Sequence, residues 1–403
     1  MDAPRYRSTR GEVAGVSFRE ALLQGLAPDG GLFVPDRIPD VRPAAWQKAE
    51  RFADVGLNML APWLRAEVPA SVLHALTDDA FDFPVPLVSL SGDGLADVHV
   101  LELFHGPTLS FKDFGARTMA RLMAFFLRDE KEPLTILVAT SGDTGSAVAD
   151  GFAGQENIRV VLLYPAGQVS PVQERQLIVR RDGVQALAVQ GTFDDCQRLV
   201  KGAFADSNLR GLRLSSANSI NIGRLLPQML YYAWAMREGA LGDAVFCVPS
   251  GNLGNLTGGV LAMQSGLPVR RFIAAHNANR FFPDYLGGFR GDFPPSVRTR
   301  SNAMDVGAPS NFERLQTLLP DGALERYVWA TSVADEVALE AMQRVYERSG
   351  YLADPHTAVG LDAVRRYREA TGDTSLAVVL ATAHPAKFPD VTSEALGFRP
   401  EAP

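Results

Sequence analysis

Cysteine is scarce in this chain of 403 residues, which has only Cys196 and Cys247. Two cysteines cannot build a disulfide framework, and these two lack the spacing of a metal site. Histidine is sparse as well, since the six histidines are scattered and form neither an HExxH motif nor a paired cluster. The sequence therefore predicts no metal centre and no disulfide scaffold, and we expect a cytoplasmic protein.

Long apolar runs and an excess of positive charge are also missing. No apolar run reaches the roughly 18 residues that a transmembrane helix needs, and the first residues, Met1–Arg5, contain no apolar signal core. The formal net charge of −7 and the isoelectric point near 5.5 argue against nucleic acid as a partner. The chain is rich in apolar residues, at 46% against 21% charged. This balance supports a large buried core, and we expect neither nucleic acid nor a membrane as the partner.

The first 85 residues have the pattern of a mostly helical cap. Ser17 is a capping residue that opens a first helix. Segments 44–60 and 63–76 keep helical spacing, and the prolines of 83–86 resist helix and indicate a linker.

Strand-like and helix-like segments alternate from residue 86 to the end. Apolar runs at 135–139, 158–164, 244–248 and 376–381 indicate strands, and segments with helical periodicity separate them. Near-continuous apolar strands that alternate with helices are typical of parallel sheets covered on both faces. The sequence therefore predicts an α/β fold.

Lys112 lies in the segment Ser110–Asp113, at the start of a predicted helix. A cation in the first turn of a helix opposes the helix dipole, which favours the uncharged amine. Such an amine forms Schiff bases readily. The alternative is a surface lysine near a helix N-terminus.

Two glycine-containing turns, Thr140–Gly145 and Ser250–Asn255, each follow an apolar strand and precede a helix. Backbone N–H groups at such turns can hold an anion. In the second turn, Gly251 and Gly254 permit a close approach of the backbone, and we expect Gly254 to have positive φ. One reactive amine and two anion-binding turns are the parts that a pyridoxal-phosphate enzyme needs, although both turns also fit an ordinary strand–helix connection.

Two further polar segments are candidates for substrate contacts. Segment 216–224 combines small polar donors with Arg224, which suits a second phosphate. Segment 382–387 follows a predicted strand, and ligands of α/β proteins bind at the carboxyl ends of strands. The alternatives are a solvated arginine at a capped helix start and a capping or core role for His384.

The order of these motifs resembles that of the threonine synthase family, which has the fold-type-II pyridoxal-phosphate architecture of tryptophan synthase β. The resemblance is carried by Asp29–Leu32, His105–Thr108, Phe111–Asp113, Thr140–Gly145, Ser250–Asn255 and Thr382–Phe388. It implies two α/β domains that are each centred on a parallel sheet, with a cap at 1–85. The catalytic region would be 86–403, with a small subdomain at about 110–215. The chain is similar to the short branch of the family, which lacks the adenosylmethionine-regulated N-terminal extension.

The resemblance also implies a role for each motif. Lys112 would be the catalytic residue that carries pyridoxal 5′-phosphate, and Thr382 would face the pyridine nitrogen. The cofactor phosphate would be held by Ser250, Gly251, Asn252, Leu253, Gly254 and Asn255. The substrate carboxylate would be held by Ser141, Gly142, Asp143 and Thr144. The substrate phosphate would be held by Asn218, Ser219, Asn221, Arg224 and Lys387.

The activity implied is the last step of threonine biosynthesis. O-phospho-L-homoserine and water become L-threonine and phosphate through γ-elimination and β-addition of water, in a monomer or a homodimer. Two alternatives stay open. Similar proteins act as phospho-lyases that release 2-ketobutyrate, ammonia and phosphate, and a cofactor-binding protein can also be an inactive regulator.

Overall fold

The computed structural model describes residues 3–140, 142–209, 211–401 and 403. The N-terminal part is mainly helical, with a short antiparallel pair of strands. Its elements are β1 (Tyr6–Ser8), α1 (Phe18–Gln24), β2 (Phe33–Pro35), α2 (Ala44–Gln47), α3 (Phe52–Leu64) and α4 (Ala70–Ala80). The capping box predicted at Ser17 is confirmed, because the Ser17 side chain accepts from the Glu20 N–H while Glu20 bonds the Ser17 N–H.

Helix α3 differs from its predicted bounds. We predicted helices over 44–60 and 63–76, which leaves a gap at 61–62. Instead, α3 continues through Pro62, and the breaks lie at 48–51 and 65–69. Trp63 and Leu64 are buried in the core just after the proline. Tertiary packing therefore outweighs the local cost of a proline near the end of a helix.

A four-stranded parallel sheet, here the small sheet, occupies the region after the first large helix. Its strand order is β7-β6-β5-β8. The elements of this region are α5 (Lys112–Leu127), β5 (Leu134–Ala139), α6 (Asp143–Phe152), β6 (Ile158–Pro165), α7 (Pro171–Ile178), β7 (Val184–Val189), α8 (Phe193–Ala205) and β8 (Arg213–Ser215).

A six-stranded sheet, here the large sheet, is built from strands that precede and follow the small sheet in the sequence. Its order is β11-β10-β9-β12-β4-β3, and every neighbouring pair is parallel except the antiparallel edge pair β3–β4. Its elements are β3 (Leu87–Ser89), β4 (Val98–Glu102), α9 (Ile222–Leu225), α10 (Leu230–Glu238), β9 (Ala244–Pro249), α11 (Gly254–Gln264), β10 (Val269–His276), α12 (Phe281–Leu286), α13 (Phe312–Leu318), α14 (Ala323–Tyr327), β11 (Val328–Ser332), α15 (Asp335–Ser349), α16 (Pro355–Thr371), β12 (Ala377–Ala381) and α17 (Pro389–Leu396).

The α/β prediction is confirmed, with two differences at the edges of the large sheet. The sequence interpretation missed β11, a half-buried edge strand, and it did not foresee the antiparallel β3. The central strands β9 and β12 are buried along their whole length, which explains their continuous apolar runs.

The start of α5 is fixed to the carboxyl end of β12. Phe111 donates its backbone N–H to the Thr382 carbonyl at 2.9 Å, and Ser110 pairs with Ala383 in an isolated β-bridge. This contact brings Lys112, which belongs to the small-sheet region, to the edge of the large sheet. None of the described helices is long and apolar enough to cross a membrane.

Candidate active site

A cavity lies at the carboxyl ends of β9 and β12, against the first turn of α5. It is lined by Lys112, Asp143, Thr144, Ser219, Arg224 and Thr382 together with the 249–255 turn. These residues come from distant parts of the chain, and the two parallel sheets bring them together. The position agrees with the rule that ligands bind at the carboxyl ends of parallel strands.

The Lys112 amine is held in a mostly buried position. Its side chain is 16% exposed, and Nζ lies 3.9 Å from Asp143 Oδ2. Burial lowers the pKa of Lys112 to about 8, and the nearby Lys387 and Arg224 cations act in the same direction, against Asp143 and Asp113. The burial of the side chain rules out the surface-lysine alternative. With the lowered pKa, a larger fraction of the Lys112 amine is uncharged near neutral pH than for an exposed lysine.

Asp143, the first residue of α6, is part of a buried ion-pair network. Its Oδ1 accepts from Lys387 Nζ at 2.8 Å and from Gln173 Nε2 at 2.9 Å. Burial by itself would raise the pKa of Asp143, but Lys387 and Lys112 hold it well below its usual range. The carboxylate is thus ionised and already paired, so it braces the turn and cannot itself hold a second carboxylate.

The rest of the 140–145 turn is organised by Thr140. Its Oγ1 accepts from the N–H groups of Gly142 at 3.0 Å and Gly145 at 2.8 Å. Gly142 has φ of 136°, and a Cβ there would lie 2.6 Å from Gln173 Cδ, so this position requires glycine. Thr144 lines the cavity, whereas Ser141 lies outside the described residues.

The 250–255 turn presents unused hydrogen-bond donors. In the described part of the chain, the backbone N–H groups of residues 251–255 donate to no protein acceptor. The positive φ that we expected at Gly254 occurs at Leu253, with φ of 61°, because Gly254 already begins α11. The Asn252 Oδ1 accepts from the N–H and the hydroxyl of Ser310, and the Ser250 hydroxyl donates to the Val248 carbonyl.

Asn255 contributes a further donor to the same turn. Its Oδ1 accepts from the hydroxyls of Tyr231 at 2.7 Å and Tyr232 at 2.8 Å, which fixes the orientation of the amide. Its Nδ2 is buried at the cavity and has no partner among the described residues. An unpartnered buried donor is costly unless a ligand satisfies it. Together with the free N–H groups, Asn255 makes this turn fit a phosphate.

Arg224 is a buried cation rather than the solvated residue of the alternative interpretation. It is 3% exposed and lines the cavity. Nη1 donates to the Ala217 carbonyl at 2.7 Å, whereas Nε is buried without a partner in the described chain. Burial lowers the pKa of Arg224 to about 10, so it remains charged at neutral pH. Arg224 offers a second anion site beside the first.

The other residues predicted for the substrate phosphate differ in position. Ser219 lines the cavity, with Oγ 3.2 Å from Ser310 Oγ. Asn221 is fully buried as the N-cap of α9, and its amide bonds Gly223 N–H and the carbonyls of Leu22 and Ser216.

Neither Asn218 nor Lys387 lines the cavity within the described residues. Lys387 is fully buried, and its Nζ donates to Asp143 and, at 2.8 Å, to the Thr108 carbonyl. The geometry argues against a substrate-phosphate role for Asn221 and Lys387, because the polar atoms of both side chains are already bonded to protein groups.

The structure shows the contacts of two histidines, His384 and His356, whose roles the sequence motifs did not determine. His384 Nδ1 accepts from the Ala386 N–H, so it caps a 3₁₀ turn, as one alternative stated. His356 was not assigned a role, yet it lines the cavity. Its Nδ1 lies 2.6 Å from Asp354 Oδ2 and its Nε2 accepts from the Ala303 N–H, which fixes the tautomer with the proton on Nδ1. The Asp354-Pro355-His356 segment was the only signal for it.

Comparison with known proteins identifies the family. Residues 81–383 match the profile described as "Pyridoxal-phosphate dependent enzyme", and residues 5–81 match "Threonine synthase N terminus". The threonine synthase of Serratia marcescens is 42% identical over 394 residues, and the match covers 95% of this chain and 88% of that protein.

Solved structures agree with this assignment. The pyridoxal-phosphate-bound threonine synthase of Brucella melitensis has a TM-score of 0.92 and 36% identity. The match covers 100% of this chain and 93% of the Brucella chain. The threonine synthase of Escherichia coli has a TM-score of 0.89 and 38% identity, with coverage of 99% and 92%. These likenesses confirm the expected fold-type-II architecture and the cofactor class. The chain belongs to the threonine synthase family of pyridoxal-phosphate-dependent enzymes.

Proposed function

We propose that this protein converts O-phospho-L-homoserine and water to L-threonine and phosphate. The observation that carries the proposal is the pair of anion sites in one cavity. The 250–255 turn supplies donors for the cofactor phosphate, and Arg224 supplies a buried cation for the phosphate of a substrate. An amino-acid substrate with its own phosphate requires both sites, and Lys112 lies beside them.

The proposed roles follow from the groups that remain free. Bound pyridoxal phosphate supplies an aldehyde that joins an amine and an acceptor for electrons released at the substrate Cα. Lys112 is the amine, and its pKa of about 8 suits a base that takes up and returns protons at Cα and Cβ. Residues 251–255 would hold the cofactor phosphate, and Thr382 would hold the ring nitrogen.

The substrate is oriented at its two charged ends. Thr144 and the turn that Asp143 braces bind the carboxylate, and Arg224 with Ser219 binds the phosphate. A guanidinium in a water-poor cavity gives a strong charge-assisted contact to phosphate. Departure of phosphate from Cγ is favoured when this cation remains fixed near the leaving oxygens.

We further propose a cap at 1–85 and a catalytic region at 86–403 with a small subdomain at about 110–215. The extent of the small sheet, from β5 to β8, supports the last boundary. The chain would act in the cytoplasm as a monomer or a homodimer on a small-molecule substrate. The two cysteines are free and buried, which suits a reducing compartment.

The reaction can be tested through its products. Protein loaded with pyridoxal phosphate and incubated with O-phospho-L-homoserine should release threonine and phosphate in equal amounts, as measured by amino-acid analysis and a phosphate assay. Release of 2-ketobutyrate and ammonia in place of threonine would indicate the phospho-lyase. Absence of turnover in protein that binds the cofactor would indicate a regulatory protein.

Lys112 should be the single attachment point of the cofactor. Borohydride reduction followed by peptide mapping should find the pyridoxyl mass on Lys112, because its amine is the one lysine amine that lines the described cavity. Lys112→Ala should lower kcat by at least roughly a thousandfold, since anchor and base are lost together. A pyridoxyl group on Lys387 in the parent protein would refute this assignment.

Asn255→Asp should weaken cofactor binding at least about tenfold, because a charge-assisted hydrogen bond is replaced by repulsion between a carboxylate and a phosphate. The substitution keeps the side-chain shape and an acceptor for both tyrosines. Equilibrium dialysis gives the affinity, and Asn208→Asp on the surface is the matched control. Equal affinities of the two variants would count against the turn as the phosphate site.

Arg224→Met should raise the KM for O-phospho-L-homoserine about ten- to a hundredfold, as expected for loss of one charge-assisted contact. Cofactor affinity should change much less. Inorganic phosphate should inhibit the parent competitively and should inhibit the variant only weakly. If KM and phosphate inhibition both stayed at the parent values, the substrate phosphate would have to bind elsewhere.

A further inference from the structure

Lys387 is a buried lysine that contacts the active site only through another side chain. It lies in the 3₁₀ turn Pro385–Lys387, directly after the central strand β12, and its side chain has no exposed surface. Its Nζ is 2.8 Å from Asp143 Oδ1 and 2.8 Å from the Thr108 carbonyl. A lysine is rarely buried in this way unless its charge is paired. Here the pairing partner, Asp143, lines the cavity.

The Asp143 carboxylate is shared unequally between two lysines. Its Oδ1 bonds Lys387 and Gln173, and the latter, on α7, holds the carboxylate from the side of the small sheet at 2.9 Å. Its Oδ2 faces Lys112 at 3.9 Å, which is too long for a hydrogen bond. The nearer lysine therefore takes the strong contact, and Lys112 receives only a weaker attraction.

This division has a consequence for the Lys112 amine. An amine that is paired closely with a carboxylate remains protonated, and a protonated amine cannot attack an aldehyde. Four charged groups act on Lys112: Asp143 from α6, Lys387 from the 3₁₀ turn, Arg224 from α9 and Asp113 from α5. Of these, Lys387 has a double effect, because it repels the Lys112 charge and also engages the carboxylate that would stabilise that charge.

We propose that Lys387 is a positioning residue that holds the Asp143 carboxylate away from Lys112 and so keeps the Lys112 amine free to join the cofactor aldehyde. The inference rests on the proposed function only in taking Lys112 as the amine that joins the cofactor. It also explains why Lys387 is bonded away from the cavity although the 382–388 segment ends a strand beside it.

Lys387→Met should make cofactor capture more dependent on pH. Without Lys387, Asp143 can move to Lys112 and raise its pKa, and an opposite charge at close range shifts a pKa by about one unit or more. Capture requires the uncharged amine, whose fraction at neutral pH then falls about tenfold for each unit. We expect capture of added pyridoxal phosphate, followed by absorbance in the full-length cofactor-free chain, to be about tenfold slower at pH 7. At high pH the parent and the variant should converge.

The controls separate charge from structure. Lys387→Arg retains the cation and should keep a rate profile close to the parent's, and Lys201→Met, which removes an exposed lysine on α8, should change nothing. A profile for Lys387→Met that is lowered equally at all pH values would show a merely structural role and overturn the proposal. An unchanged profile would overturn it too.

A second variant keeps the test decisive if Lys387→Met does not fold, because that change leaves a carboxylate buried without its close partner. In Lys387→Met/Asp143→Asn both charges are absent and the shapes are retained, so no carboxylate remains to protonate Lys112. The pH midpoint of its capture rate should lie within about 0.5 pH unit of the parent's midpoint, because the two removed charges act on Lys112 in opposite directions. A pH midpoint that is higher than the parent's by about one pH unit or more would show that Lys387 does not act through Asp143.

Turnover distinguishes this role from the substrate-phosphate role suggested by the sequence. A positioning role predicts that Lys387→Met lowers kcat at pH 7 while KM and phosphate inhibition change by less than about threefold. A rise in KM with unchanged kcat would instead favour a phosphate ligand and overturn the proposal. Because cofactor capture is measured without substrate, failure of the threonine assay would leave the result on Lys387 intact.

Discussion

The burial of one amine governs most of the charged structure at this site. Lys112 loses solvation at the first turn of α5, and burial is the largest cause of its lowered pKa. A buried amine of this kind needs neighbours that neither restore full protonation nor leave a charge unpaired. The carboxylate of Asp143 is bonded at 2.8 Å by a second lysine, Lys387, and lies 3.9 Å from the Lys112 amine. The next cation, Arg224, is bonded by the Ala217 carbonyl. The network keeps Lys112 reactive without exposing it to solvent.

The two proposed anion sites offer different kinds of donor, backbone N–H groups in one and a charged side chain in the other. The difference follows from where each site lies in the fold. The 250–255 turn joins a fully buried strand to a helix, so its free donors are backbone N–H groups at a helix N-terminus. Such a site binds an anion that stays in place. Arg224 is a charged side chain in the cavity lining, which would suit an anion that arrives with a substrate and leaves as a product. A cofactor phosphate and a leaving phosphate thus have matching environments.

The sequence predicted those parts of the fold and of the site that local residue patterns determine. The apolar runs of β9 and β12 are continuous because these strands are buried along their whole length. Together with the mainly apolar runs of β5 and β6, this pattern made the α/β fold predictable. Turns between such strands and helices were equally visible, and with them the places where ligands would bind.

Contacts between distant segments were not visible. Nothing local distinguishes a lysine that binds substrate from one that pairs with a buried aspartate. The sequence therefore suggested a phosphate as the partner of Lys387, whereas in the structure Lys387 bonds Asp143. Helix α3 continues through Pro62 because Trp63 and Leu64 are buried by other elements, which no local rule contains. His356 became a cavity residue only through the packing of α16 against the 302–304 turn.

The cap belongs to the same physical system as the site. Arg314 is fully buried, and its guanidinium bonds oxygens from three segments: the Phe33 carbonyl of the cap, the Ile220 carbonyl and Asn311 Oδ1. Burial lowers the pKa of Arg314 to about 9, so the bonds must compensate for a costly desolvation.

Asn311 in turn donates its side-chain amide to the Ser219 carbonyl and its backbone N–H to the Asn252 carbonyl, 3.1 Å away in each case. One buried arginine therefore links the N-terminal part to both the 216–224 segment and the 250–255 turn. Loss of the Phe33 contact would leave the Arg314 cation short of an acceptor, and the resulting strain would fall on the cavity-lining Ser219 and Asn252. The N-terminal part is therefore a structural support for the two proposed phosphate sites rather than a separate appendage.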